Sequence, residues 1–217
     1  MSELLDRFKE AIIEGDAEKG VELAEALVGE ASATPVEIID KLSGAMEVVG
    51  GRYETGEYFI PEMLRSADAV EKALAALEPY LFEHRHEASG VVVMGTVKGD
   101  VHNIGKNIII SALRAAGYEV HDLGVNVSTE KFISKVRDSG ADLLLLSAFT
   151  TTTKRALLNI MEALKREGLR EQVKVISGGA SHSEELARDI GVDGFAQDVK
   201  STLALCQQIM SDKTGTG

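Results

Sequence analysis

The chain has 217 residues, 44% hydrophobic and 27% charged, a balance that excludes disorder over its whole length. At roughly 150 residues per domain, two compact units fit, whereas a full (β/α)8 barrel does not. Thirty-five acidic against 23 basic residues give a net charge of −12, which argues against binding a nucleic-acid backbone.

The first segment, MSELLDRFKE, is acidic and has neither the basic nor the apolar region of a signal peptide. No later run reaches the roughly 18 apolar residues of a membrane span, so a cytoplasmic protein without a membrane partner is expected. Helical spacing then recurs four times. Leu4, Phe8 and Ile12 mark the first helix, and Ala17, Val21, Ala24 and Leu27 the second. Thr34-Pro35-Val36-Glu37 is a capping box with proline in the first turn. It opens a third helix with Ile39, Leu42, Met46 and Val49 on one face and an end weakened by Gly50-Gly51. A fourth begins near Pro61 and carries Met63, Ala67, Val70, Leu74, Leu77 and Leu81. Four amphipathic helices with short connections predict a small bundle. Residues 1–88 hold 20 acidic and 8 basic side chains, whereas 89–217 hold 15 of each, which places a domain boundary near residue 88. His84 and His86 fall in that junction, FEHRHEASG, and without a third ligand nearby they read as a solvated linker.

From residue 89 the period changes. Apolar runs at 90–97, 118–124, 142–148, 173–177 and 194–196 alternate with helical segments near 104–116, 128–138, 152–167, 182–190 and 199–210. Near-continuous apolar strands separated by helices predict a parallel sheet covered on both faces. The fold class is therefore α/β: an N-terminal four-helix bundle over 1–88, then a five-stranded, doubly wound, flavodoxin-like sheet of order 2-1-3-4-5 over 89–217. Cys206, the one cysteine, excludes an internal disulfide and reads as a small buried hydrophobe. The tail SDKTGTG is expected to be disordered.

Ligands of such sheets bind beyond the carboxyl ends of the strands, where the strand order reverses. The loops to search follow strands 1, 3 and 4: GTVKGDVHNIGKN (95–107), SAFTTTT (147–153) and SGGA (177–180). In Asp100-x-His102, the carboxylate can accept a hydrogen bond from one ring nitrogen while the other is presented outward, as a metal-ligating imidazole requires. Gly105 lets the following helix start close to whatever the histidine holds. The pattern D-x-H-x-x-G is short, and its weight comes from context. Lys98, Lys106 and Asn107 read as surface residues without a role, and Ser181 forms a second capping box with Glu184 beside His182.

That context is a resemblance. GTVKGDVHNIGKNI, followed by S-x-x-x-T and GGA, resembles the corrinoid-binding domain shared by cobalamin-dependent methionine synthase and the small methyltransferase corrinoid proteins of methanogens and acetogens. RYETGEYFIPEML resembles the same family's helical cap. The resemblance implies cobalamin or a related corrinoid as cofactor, with His102 as the axial cobalt ligand and Asp100 as its hydrogen-bond partner. It implies that Thr153 completes a triad in which relatives often have serine. Ser147 and Thr151 would contact the nucleotide tail, and Gly178 and Gly179 would let backbone approach it. Tyr53, Ile60 and Met63, with Phe59 beside them, match residues that cover the upper face of the corrin. Phe149 replaces the usual leucine of S-x-L, and Ser181 stands where many relatives have proline.

The function implied is that of a non-catalytic methyl carrier, passing between cob(I)alamin and methylcobalamin. A substrate methyltransferase would load it, and a second, acting on tetrahydrofolate, coenzyme M or a similar acceptor, would unload it, with a reductive activase as a further partner. A cap that moves as a unit would expose the methyl group in turn. The alternative is a cobalamin-binding sensor or regulatory module without methyl transfer, which would keep the same two domains.

Overall fold

Residues 2–82, 89–150, 153–179 and 183–214 are described by the computed structural model, and the chain divides into two compact units, Met1–Arg85 and His86–Gly217. His84 and His86 lie outside the described residues.

The first unit is helical. Helices α1 (Ser2–Glu14), α2 (Ala17–Gly29), α3 (Pro35–Glu54) and α4 (Ile60–Leu77) pack together, and a 3-10 turn follows at Glu78–Phe82. Apolar residues at three- and four-residue spacing close the core: Leu5, Phe8 and Ile12 of α1, Leu23 and Leu27 of α2, Ile39, Leu42 and Val49 of α3, and Val70, Leu74 and Leu77 of α4. Leu5 is buried and Leu4 only partly so, and Leu23 likewise displaces Val21. Where two adjacent residues are both apolar, spacing alone does not set the rotation of a helix; the neighbouring helices do. The Thr34 cap forms as the sequence predicts, with Glu37 N–H donating to Thr34 Oγ1 at 3.3 Å and Thr34 N–H to Glu37 Oε2 at 2.8 Å. Gly50 and Gly51 do not end α3, which runs through both to Glu54; a Cβ at either would meet nothing within 4 Å.

The second unit alternates strand and helix: β1 (Val91–Thr96), α5 (Ile104–Ala115), β2 (Glu119–Asp122), α6 (Thr129–Ser139), β3 (Leu143–Ser147), α7 (Lys154–Arg166), β4 (Lys174–Gly178), α8 (Glu184–Ile190), β5 (Gly194–Phe195) and α9 (Val199–Thr214). All strand pairs are parallel, in the predicted order β2-β1-β3-β4-β5. Period-2 alternation divides the apolar residues between two layers. Val93, Leu144, Leu146 and Val175 pack under α6, α7 and α8, while Val92, Leu143, Leu145 and Ile176 pack with residues of α5 and α9. Cys206 belongs to the second layer, where burial pushes its thiol up to about 12, as befits an inert core residue.

Register decides what reaches the carboxyl edge of the sheet. Thr96 lies opposite Ser147, and Ser147 opposite Gly178, so three small residues from adjacent strands form one row. The break in strand order falls between β1 and β3, beneath the loops that leave those two strands.

Two sequence expectations change at the C-terminal end. The cap of α8 is Ser183, whose Oγ accepts from Leu186 N–H at 3.1 Å, so the helix starts two residues later than a box at Ser181 would place it. Ser181 and His182 lie outside the described residues. Ser211 to Thr214 continue α9 rather than forming a loose tail, of which only 215–217 lie outside the description. Among the described residues, no helix is long and apolar enough to cross a membrane.

Candidate functional site

The loop from β1 to α5 is built around one buried carboxylate. Asp100 is 2% exposed. Its Oδ1 accepts from the His102 backbone N–H at 3.0 Å and lies 2.6 Å from His102 Nδ1; its Oδ2 accepts from Phe149 N–H at 2.6 Å. Burial opposes the charge, but the N–H groups of His102 and Phe149 and the His102 ring outweigh it and hold the carboxyl below its usual range. An ionised carboxylate can only accept, so the ring hydrogen of a neutral His102 sits on Nδ1 and the lone pair on Nε2. The His102 side chain is 52% exposed, although its anchor is buried.

Three further residues fix this loop. Thr96, fully buried at the end of β1, donates its hydroxyl to the His102 carbonyl at 2.8 Å. Asn126, in the left-handed region at φ 52°, donates N–H to the Asp100 carbonyl and accepts from Gly99 N–H, both at 2.9 Å. Phe149 stacks on the His102 ring, with centroids 4.2 Å apart and planes 28° from parallel. Phe149, Val101 and Val125 are all exposed large apolar side chains. Only the departure of Phe149 from leucine was visible in the sequence; the partners of Thr96 and Asn126 come from tertiary pairing.

The other candidate residues divide. Ser147 lies in the row between Thr96 and Gly178. Gly105 stands in the first turn of α5, where a Cβ would meet nothing within 4 Å, so the space beside it is open. Gly178 and Gly179 are required by close backbone packing: a Cβ would fall 2.3 Å from the Ala196 carbonyl oxygen and 2.1 Å from that of Ala148, respectively. Thr153 is buried, but its hydroxyl donates to the Thr150 carbonyl at 2.5 Å, while His102 and Phe149 donate to the Asp100 oxygens. Thr151 lies outside the described residues. Ser177 Oγ, buried at the end of β4, has no hydrogen-bond partner among the described residues.

Lys106 is not a surface residue. It is 3% exposed, and its Nζ lies 2.8 Å from both oxygens of Asp122 and 2.7 Å from Asn107 Oδ1. A lysine reads as surface by composition, yet four residues after His102 it turns inward, tying the first turn of α5 to the end of β2. In the helical unit, Tyr53, Phe59, Ile60 and Leu64 are exposed and Met63 is partly buried. Tyr58, partly buried, receives a hydrogen bond from Arg52 at 2.8 Å and donates to the Ile13 carbonyl at 3.2 Å.

The chemistry of this donor set is specific. Among the described residues, no three His, Cys, Asp or Glu side chains gather to hold a metal ion. One oriented imidazole amid exposed apolar side chains suits a metal whose remaining ligands come from an apolar macrocycle. Models of the B12 binding domain match residues 90–205 and, separately, residues 4–78. Fold, loop and domain models thus define a cobalamin-binding protein. The chain is 39% identical over 211 residues to the dimethylamine corrinoid protein of Methanosarcina barkeri, covering 96% of this chain and 98% of that one. Among solved structures, the monomethylamine corrinoid protein of the same organism superposes with a TM-score of 0.84 at 30% identity, over 96% of this chain and 99% of that one. A chain of the methanol:cobalamin methyltransferase complex from Methanosarcina barkeri matches at a TM-score of 0.55 and 29% identity, over 96% and 80%. The protein belongs to the corrinoid protein family.

The residues present fit the cofactor: a single oriented imidazole, open space at Gly105 and a buried Ser177 hydroxyl on β4 with no partner among the described residues. A corrin would bring ring nitrogens of its own to cobalt, so a single imidazole from the protein would suffice.

Proposed function

We propose that the chain is a cytoplasmic methyl carrier, loaded by a substrate-specific methyltransferase and unloaded by a second methyltransferase acting on tetrahydrofolate, coenzyme M or a similar C1 acceptor. A reductive activase would restore protein that has lost an electron. The observation that carries this reading is the exposed His102 ring whose Nδ1 is fixed by buried Asp100. The names of two relatives, a dimethylamine and a monomethylamine corrinoid protein, and of the methanol:cobalamin methyltransferase complex support it.

When bound, the corrin supplies a cobalt centre that can accept and release a methyl group. The chain does the rest. His102 Nε2 would hold the cobalt, and Asp100 keeps the ring in the tautomer that presents a lone pair there. Ser147, Thr151, Gly178 and Gly179 are assigned to the nucleotide tail, and Gly105 lets α5 start close to the group that His102 would hold. Thr153 acts at one remove, shaping the Thr150 turn next to Phe149. Tyr53, Ile60 and Met63, with Phe59, would supply an apolar cover for the macrocycle, excluding water where the methyl group is carried.

Protein reconstituted with hydroxocobalamin is expected to show the visible spectrum of a histidine-ligated corrinoid, and His102→Ala the spectrum of one without it. An unchanged mutant spectrum removes His102 from the site. Protein loaded with isotopically labelled methylcobalamin should pass its label to the acceptor when a tetrahydrofolate or coenzyme M methyltransferase is added. Retained label, with light-dependent association with DNA or protein, would instead establish the regulatory alternative.

A further inference from the structure

Phe149 occupies an unusual place for a phenylalanine. It is 43% exposed, belongs to neither apolar layer of the sheet, and stacks face to face on His102. Its backbone N–H also holds the Asp100 oxygen that the histidine does not use. One residue therefore touches the imidazole through its ring and the imidazole's carboxylate partner through its amide.

We propose that Phe149 is a positioning residue for the axial ligand; this rests on the reading of His102 as that ligand. The Nδ1 to Oδ1 hydrogen bond fixes the edge of the ring but permits a swing about the bond axis. A flat partner against the face of the ring blocks that swing. The two restraints together set one direction for the Nε2 lone pair, which lies in the ring plane and is used by neither. A leucine there fills space but offers no flat face, so this chain restrains its ligand more tightly than one with the S-x-L pattern. Aromatic pairs contribute enough beyond buried area to shift a ligation equilibrium about two- to tenfold.

The test compares Phe149→Leu, Phe149→Ala and Phe149→Tyr with the parent and with His102→Ala. In cofactor-free protein, NMR relaxation of the His102 ring carbons should report greater ring mobility in the leucine and alanine variants, with tyrosine like the parent. After reconstitution with hydroxocobalamin and reduction, the same two variants should bind cobalt through His102 about two- to tenfold more weakly. Reduction to cobalt(I) releases the axial ligand, so the cobalt(II)/cobalt(I) midpoint should rise by up to about 59 mV, the tenfold value for one electron. Because Phe149 is partly exposed, its truncation hollows no core, and unaltered circular dichroism controls for folding. Leucine behaving as the parent in both mobility and midpoint overturns the positioning role. If His102→Ala leaves the spectrum and midpoint unchanged, the ligand assignment falls and this inference with it. If that variant shifts them while Phe149→Leu does not, only the role of Phe149 falls.

Discussion

Asp142 shows how much of this fold hangs on single carboxylates. Its Oδ2 accepts from Val91 N–H at 2.9 Å, at the start of β1, and its Oδ1 pairs with Lys213 in the last turn of α9. Burial opposes the charge, but Lys213 and the Val91 N–H outweigh it, and the carboxyl sits below its usual range. A depressed folded-state value means that ionisation stabilises the fold fully above the unfolded-state value and progressively less as pH falls through the folded one. Asp142→Asn should therefore lose about 1–2 kcal/mol at pH 7, and the deficit should shrink from about pH 4 downward. Urea midpoints at pH 7, 5 and 3 measure it, and a deficit constant over that range contradicts the assignment. At this scale the sequence is only partly legible. The bond between Asp100 and His102 follows from a two-residue spacing on an extended loop. The Phe149 stack and the inward turn of Lys106 depend on which strand lies beside which, and no local pattern carries that information.

At the scale of elements, apolar patterning was sufficient for nearly every helix and strand, because recurrence at three and four residues marks the helices and short near-continuous runs mark the strands. Phase was harder: Leu4 with Leu5 left the rotation of α1 undecided, and packing against α2, α3 and α4 chose it. Strand order follows from the preference of successive βα units for right-handed crossovers and short connections. The glycines after β4 were readable as a close approach, but not as an approach of backbone to backbone. Gly179, at φ +130° and with the Ala148 carbonyl where a Cβ would be, is the sharper case. Gly179→Ala should destabilise the second unit by about 2–4 kcal/mol through strain and displacement of β3's end. Thermal melting tests this, and an unchanged midpoint would mean that the loop shifts freely.

For the molecule as a whole, charge is the feature with an external consequence. The first 88 residues carry the entire acidic excess, and the remainder is balanced. An acidic surface attracts basic partners at long range and loses that attraction in salt. Association with a loading or unloading methyltransferase should slow about tenfold between 20 and 200 mM salt, read by stopped-flow mixing. A salt-independent rate would reduce the acidic residues to a solvating role. The row formed by Thr96, Ser147 and Gly178 bears on what such a scaffold can become. A strand shifted by one position turns each of its side chains to the opposite layer, so an insertion within β1, β3 or β4 would dismantle that row in a single step. Changes of length are therefore better absorbed by the loops above this row than by the strands that form it.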